Sequence, residues 1–435
     1  MATKSVVPIR LLLALWLFVL SAVSFLDRTN ISIAGPQIIR SYGISNQRLG
    51  WIFSAFLIGY AGCQIPAGWL VAKYGPRLVL TVSVVSWGVI TALTTIVPVT
   101  SAALSIFLIL RLILGASEAA MYPGANQFVA RWIPLGERGR INGLIFAGVG
   151  AGSGLTPPLL VWLIAHHGWR SAFWFSAIAG AVAGAIWWFA ARDTPEQHPL
   201  VSESELALIT QQQAKLPDDI QLDPKPWWAG ETQISWRSIM SSRDLPALML
   251  SYFSFCYIAW IFFSWFFIYM AQARGFDIKS SARFTMLPFL SMTVCCLAGG
   301  ALSDIFSRKF GLRAGRCLLA ATASVFTGVF LVLGSQVHNP AFGGIILAGG
   351  AGMLYIGQSS YWSVSIEIAG NRSGIYSSII NMSGQIGGAV TASLTPWVAK
   401  RYGWSSSFGV AAALAGVSAV CWLLVRPERN LSVGN

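Results

Sequence analysis

The chain has 435 residues, 55% hydrophobic and only 10% charged, with a mean hydropathy of +0.63. A water-soluble domain carries roughly a quarter charged residues, so this composition excludes a chain whose surface lies mainly in water. The net charge of +13 does not point to nucleic acid, because the Lys and Arg residues gather in loops on one side of a series of apolar runs, the bias of cytoplasmic loops in membrane proteins.

A run of about 20 apolar residues crosses the hydrocarbon core as a helix. The sequence predicts twelve such spans, at 10–38, 47–72, 78–98, 102–129, 140–165, 170–191, 247–271, 283–303, 316–335, 342–364, 374–399 and 405–425. The first lacks a small-residue cleavage site and is longer than a signal-peptide core, so it is expected to remain as a span. Lys73/Arg77, Arg131/Arg138/Arg140 and Arg308/Lys309/Arg313/Arg316 share the side of both termini. Arg40/Arg48, Arg274/Lys279/Arg283 and Lys400/Arg401 run against the bias. The excess still assigns both termini and the central loop to the cytoplasm.

Span 1 carries the adjacent charges Asp27 and Arg28, and span 4 carries Arg111 and Glu118. A charge near the bilayer centre costs on the order of 3 kcal/mol, so each needs a partner or a cavity. Arg111 and Glu118 are seven residues apart, on one helix face about 10 Å from each other, too far for a direct ion pair. Asp27 and Arg28 diverge by about 100°, so one can face a cavity and the other a neighbouring helix. A carboxylate in an apolar setting favours its neutral form, which suits Asp27 and Glu118 to proton coupling. A guanidinium stays charged and grips a carboxylate through paired hydrogen bonds, which suits Arg28 and Arg111 to an anion; Arg111 lies near one end of span 4 and could instead bind carbonyls or a gate carboxylate. The competing reading is a structural charge network that locks spans 1 and 4 together.

Span 2 offers Tyr60 and Gln64, four apart on one face. Span 5 holds Gly148, Gly150, Gly152 and Gly154, and span 11 holds Gly384, Gly387 and Gly388. Small residues let helices approach closely, so both spans are expected at crossing points between the halves. The Gly-x-Gly-x-Gly run follows no strand and is not read as a nucleotide loop. Residues 193–246 are the one long polar stretch, expected as a central loop with a surface helix around Ser202–Lys215. It separates residues 1–192, a first six-helix bundle, from residues 247–435, a second.

Span 10 ends with Gln358, Ser359, Ser360, Tyr361 and Trp362, and span 11 contains Asn381, Ser383 and Gln385. Amides, hydroxyls and an indole suit a hydroxylated ligand; ordinary interhelical hydrogen bonding is the alternative. The halves repeat each other. Gly168-Trp169-Arg170-Ser171-Ala172-Phe173 returns as Gly403-Trp404-Ser405-Ser406-Ser407-Phe408, and each is followed by one span and a basic Pro-Glu tail. Such repeats are common in transporters, with the ligand near the midplane between them. The six cysteines sit in or beside apolar runs without metal-ligand spacing and read as small hydrophobes. No cofactor and no metal are expected.

At these residues the chain resembles the anion:cation symporter branch of the major facilitator superfamily, which includes bacterial D-galactonate, glucarate and hexuronate transporters and the vesicular glutamate and sialic acid carriers. The resemblance runs over nearly the whole chain. It is carried by Arg111 to Pro123 with Gly115, Glu118 and Ala119, by Arg131-Trp132-Ile133-Pro134 and Glu137-Arg138-Gly139-Arg140, by Gly59-Tyr60, Gln64-Ile65-Pro66 and Gly68, and by Asp27-Arg28. It implies an all-α membrane protein of twelve transmembrane helices in two pseudo-symmetric six-helix bundles. It also implies that Asp27 and Glu118 carry protons, that Arg28 touches the ligand, and that Tyr60, Trp362 and Asn381 line the pocket. Three positions depart from the branch: Ala72 stands where the loop after span 2 usually has an aspartate, Tyr257 where some members have an arginine, and Gly150 where some have a glutamine.

The function expected is proton-coupled import of a small organic anion, a sugar acid or related hydroxycarboxylate, by alternating access. The protein is expected as a monomer in the bacterial inner membrane, with the bilayer, protons and the anion as its partners and no nucleic acid. An exporter or antiporter of aromatic or drug-like compounds is the alternative, motivated by 19 Trp and 25 Phe. Four histidines, all in loops or at span ends, leave little for an enzyme.

Overall fold

The computed structural model describes residues 8–44, 46–213, 239–240, 242–266, 269–370 and 373–428. Among them the chain is helical without strands and makes twelve membrane-length passages. Span 1 is Ile9–Tyr42, span 2 Asn46–Tyr74, span 3 Pro76–Leu93, span 5 Arg138–His167 and span 6 Trp169–Ala190. Span 7 is Leu245–Ser264, span 8 Ile278–Phe310, span 11 Ser373–Tyr402 and span 12 Trp404–Leu424. Span 9 begins as a wide turn at Arg313–Leu318 and continues as Leu319–Gln336.

Span 7, expected to run to 271, ends as a regular helix at Ser264, with a wide helical turn at Tyr269–Ala273 beyond it. Spans 4 and 10 are broken near their middles where the sequence predicts continuous helices. Span 4 is Ala103–Glu118 followed by Met121–Trp132. Pro123 has no N–H to give the carbonyl of Ala119, four residues back, which accounts for the joint. Span 10 is Pro340–Ile356 followed by Gln358–Ala369, with Gly357 between them.

Ten passages are long and apolar enough to cross a membrane by hydropathy alone. Spans 5 and 11 are the other two, each of 30 residues. Both are rich in Gly and Ser and pack on several neighbours, so less of their surface has to suit lipid.

The packing is pseudo-symmetric. Spans 1·5, 2·4, 3·6 and 1·6 pack together in the first half, and spans 7·11, 8·10, 9·12 and 7·12 match them in the second. Between the halves the main contacts are spans 5·8 and 2·11, again equivalent pairs. Arg77 donates to the carbonyl of Trp188 at the end of span 6, as Arg313 does to that of Leu423 at the end of span 12.

The glycines of span 5 divide their work. A Cβ at Gly148 or Gly152 would strike the span 1 backbone at Phe18 or Ala22, whereas one at Gly150 would strike span 8 at Phe289 and Thr293. Span 11 crosses span 2 between the halves as expected, but three of its glycines face elsewhere. Gly384, Gly387 and Gly388 press on Tyr252, Phe253 and Trp260 of span 7, within their own half.

The face carrying the N-terminus is closed by two latches. Asp304 of span 8 accepts the backbone N–H groups of Gly139 and Arg140 at the start of span 5, at 2.9 and 2.7 Å. Arg316 holds Asp304 at 2.7 Å and Glu367 at 3.0 Å. The equivalent aspartate is absent at Ala72. There Gln127 of span 4 accepts from Gly374 N–H at 3.2 Å and Ser373 Oγ at 3.3 Å, at the start of span 11. The latch missing from the expected position is replaced by a neutral one from another helix.

The central stretch begins under the first half. The expected surface helix is present as Glu203–Gln213; residues 214–238 lie outside the described residues. Glu205 accepts from Ile9 N–H at 3.2 Å and Arg10 N–H at 3.1 Å, capping span 1. Asp193 does the same for span 3 through Arg77 N–H at 2.9 Å. Both carboxylates sit at the positive end of a helix dipole.

Candidate functional site

A cavity of about 40 Å³ lies between the halves. Since one water needs roughly 10–15 Å³ by this measure, it has room for a few waters and encloses no sugar-sized solute in this conformation. Its first-half wall is Phe25 and Arg28 of span 1, Tyr122 of span 4, and Phe146 and Val149 of span 5. Its second-half wall comes from spans 7, 10 and 11, including Cys256, Trp260 and Phe263, then Tyr355 and Gln358, then Asn381 and Gln385.

Arg28 is the one cation lining it among the described residues. Its Nε donates to Glu118 Oε2 at 2.9 Å. Its guanidinium carbon lies 4.6 Å from the Tyr60 ring centre and 4.7 Å from that of Phe25, a cation–π setting. Its Nη2 has no protein partner, and neither does Glu118 Oε1 behind it. Glu118 ends the upper helix of span 4, where Ala119 N–H turns back to the Ala116 carbonyl.

Adjacent on the helix, Asp27 points the other way. It is 1% exposed and accepts from Thr91 Oγ1 of span 3 at 3.3 Å. Arg111 and Glu118 are the charged groups acting on it. Arg111 is 2% exposed, lies 5.8 Å from the Phe173 ring centre, and leaves Nε unpartnered. Asp27 and Arg111 therefore lie within the first bundle and not on the cavity wall.

The amides bridge the halves. Asn381 Nδ2 donates to Tyr60 Oη at 3.3 Å and to Gln64 Oε1 at 3.2 Å. Gln385 Nε2 donates to Asn381 Oδ1 at 3.3 Å, and Gln358 Nε2 to Tyr252 Oη at 3.3 Å. Tyr60 and Gln64 thus stand one layer behind the wall and hold Asn381 in place.

Tyr361 and Trp362 do not reach the cavity wall. The Tyr361 hydroxyl pairs with Ser251 at 2.7 Å inside the second half. The Trp362 ring stacks on Phe146 at 4.8 Å between centroids and meets Tyr122 at 5.9 Å, beneath the residues that do line it.

The span 7 wall was not singled out from the sequence. Tyr252, Cys256, Trp260 and Phe263 recur at four, four and three residues, one helix face. That periodicity is present in the sequence, but span 7 is apolar all round and the stripe does not stand out. Among the described residues no three His, Cys, Asp or Glu side chains gather as metal ligands.

Several known proteins resemble the chain over nearly its full length. A protein of Cupriavidus necator named as a probable sulfoacetate transporter, SauU, is 30% identical over 93% of this chain and 91% of its own. A probable galactarate/D-glucarate transporter of Bacillus subtilis, GudP, is 28% identical over 96% and 90%. The chloroplastic ascorbate transporter of Arabidopsis thaliana is 28% identical over 92% of this chain and 71% of its own. In fold the chain matches the proton:xylose symporter XylE with a TM-score of 0.75, at 16% identity over 94% of each chain. It matches the outward conformation of FucP with a TM-score of 0.69, at 18% identity over 95% and 98%. The sequence pattern of the Major Facilitator Superfamily covers residues 17–392. With its relatives all transporters, this multi-pass membrane chain belongs to the Major Facilitator Superfamily and is a transporter and not an enzyme.

Proposed function

We propose that the protein is a proton-coupled symporter that imports a small organic anion by alternating access. The observation that carries the reading is that the cavity's one cation, Arg28, has Glu118 as its ion-pair partner. While Glu118 is ionised it competes with any ligand for the guanidinium. A proton on Glu118 weakens that grip and frees Arg28 to take a ligand carboxylate through charge-assisted hydrogen bonds. Loading the anion and loading the proton then favour each other, which is the thermodynamic content of symport. Asp27 is proposed as a second proton carrier that acts through Arg111 and Glu118 and does not touch the ligand.

The relatives' names support an organic anion, and the bacterial origin of several of them, those of Cupriavidus necator and Bacillus subtilis included, supports the inner membrane. Basic residues gathered on the terminal face support cytoplasmic termini. Residues 1–192 and 247–435 are proposed as the moving units, with 193–246 between them, in a monomer. Uptake into proteoliposomes tests the coupling. Glu118→Gln and Asp27→Asn should each lose proton-driven accumulation, and Glu118→Gln should retain counterflow that no longer varies with pH. Wild-type accumulation and pH dependence in both variants refutes the coupling.

A second reading, export of aromatic compounds, is favoured by the aromatic cavity wall of Phe25, Trp260 and Phe263. Under it, Arg28→Ala leaves transport of neutral aromatics intact; under the symport reading, Arg28→Ala abolishes uptake of acids.

A further inference from the structure

Resting on that reading of the site, the geometry points to a ligand with one acid group and a neutral hydrogen-bonding end, and to Gln358 and Gln385 as the residues that select it. The two walls of the cavity are chemically unlike. The first half supplies the cation, Arg28, with one N–H group unpartnered. The second half supplies amides. Gln358 and Gln385 are 2% and 6% exposed, each is tethered by its own Nε2, and each leaves Oε1 without a partner.

Those oxygens are acceptors and call for a donor on the ligand, such as a hydroxyl. A second carboxylate there would meet two amide oxygens, the negative faces of aromatic rings and, as donors, the uncharged hydroxyls of Tyr252 and Tyr355. Turning either amide over would offer its N–H₂ instead, but in neither orientation does that wall hold a full positive charge. The other guanidinium at membrane depth, Arg111, is walled off within the first bundle beside Asp27 and cannot serve a second acid. A group left in such a cavity with its charge unmatched is rejected strongly, because the desolvation is not returned.

Gluconate and glucarate make the test, since they share a six-carbon hydroxylated chain and differ at one end, hydroxymethyl against carboxylate. Binding of each to the purified full-length protein is measured by calorimetry, and counterflow is measured in proteoliposomes. Gluconate should bind at least about tenfold more tightly than glucarate at neutral pH. Gln385→Arg and Gln358→Arg should each narrow or reverse that ratio, and a thermal midpoint close to wild type certifies their folding. Glucarate bound as tightly as gluconate by the wild type overturns the inference and leaves the anion reading standing, as does a ratio unchanged in both folded variants. Neither acid binding or exchanging removes the sugar-acid reading itself, and the inference with it.

Discussion

Replacing Asp304 with alanine should open the terminal face. The buried carboxylate accepts two backbone N–H groups of span 5 and one bond from Arg316, all at 2.7 to 2.9 Å. Arg316 keeps Glu367 at 3.0 Å when Asp304 is removed, so the guanidinium is not stranded. What is lost is chiefly the pair of charge-assisted bonds across the halves, each about 1.5–3 kcal/mol. The low end of that range totals about 3 kcal/mol, and each 1.4 kcal/mol is a factor of ten. The ratio of open to closed conformers should therefore rise by on the order of a hundredfold. Gln127→Ala removes the neutral bonds from Ser373 Oγ and Gly374 N–H, worth about 0.5–1.5 kcal/mol each, so the shift from these bonds should be smaller, roughly five- to a hundredfold. Spin labels on cysteines at the exposed Lys73 and Lys309, one on each half, report the separation by pulsed electron resonance. A longer-distance population should grow strongly in Asp304→Ala and less in Gln127→Ala. Distance distributions equal to the parent in both, in folded and monodisperse protein, refute the latch reasoning.

Two further outcomes are expected. Gly150→Val drives side-chain atoms into the span 8 backbone at Phe289 and should cost about 1–3 kcal/mol, lowering the thermal midpoint in detergent. Gly154→Ala, whose Cβ would meet Phe289 at an ordinary 3.6 Å, should leave that midpoint nearly unchanged. The docking of the central stretch should weaken in acid. Burial pushes the His198 imidazole below its ordinary value of 6.5, and its Nδ1 accepts from Leu200 N–H at 3.2 Å while Nε2 faces the Ala190 carbonyl at 3.0 Å. The docked ring is neutral, so the undocked segment takes up a proton first. Docking is intact above about pH 6.5 and falls as pH drops through the docked value. Amide protection at Glu203–Gln213, taken relative to the intrinsic exchange rate at each pH, should fall on acidification, and His198→Gln should flatten that dependence; an identical pH profile of protection in the variant refutes it.

The twelve passages and their two-fold repetition were legible because lipid demands long apolar helices, and that demand is written into composition. Spans 5 and 11 were legible too, though hydropathy alone passes over them, because Gly-rich helices between strongly apolar neighbours still fit the count. The joint in span 4 was present as Pro123 and was passed over, since a proline in a membrane helix is often accommodated without a break. Intramembrane charge led to Arg28 and Glu118, which the fold brings into contact. The same rule could not tell which way Asp27 and Arg111 face, because rotation about the helix axis depends on neighbours far away in sequence. Tyr361 and Trp362 illustrate that limit: adjacent and both chemically suited to a ligand, they pack behind the wall while Gln358, one turn earlier, reaches it. The latch at Gln127 was hidden for a related reason, as its partner lies 247 residues away.

The two joints give the molecule a pair of levers. Glu118 stands at the joint of span 4 and Gln127 nine residues further along the lower rod; Gln358 stands at the joint of span 10 and Glu367 nine residues further along its own. At 1.5 Å per residue each arm is about 13 Å long, so a swing of about 10° at the joint carries its far end by roughly 2 Å. That displacement is enough to part a hydrogen bond. Acid and amide have changed places between the arms: the first rod has a carboxyl at its pivot and an amide at its far end, while the second has an amide at its pivot and a carboxyl at its far end. On the proposed coupling, a proton at Glu118 acts on the arm that ends in the weaker catch, so a molecule swinging open should part at Gln127 before it parts at Asp304.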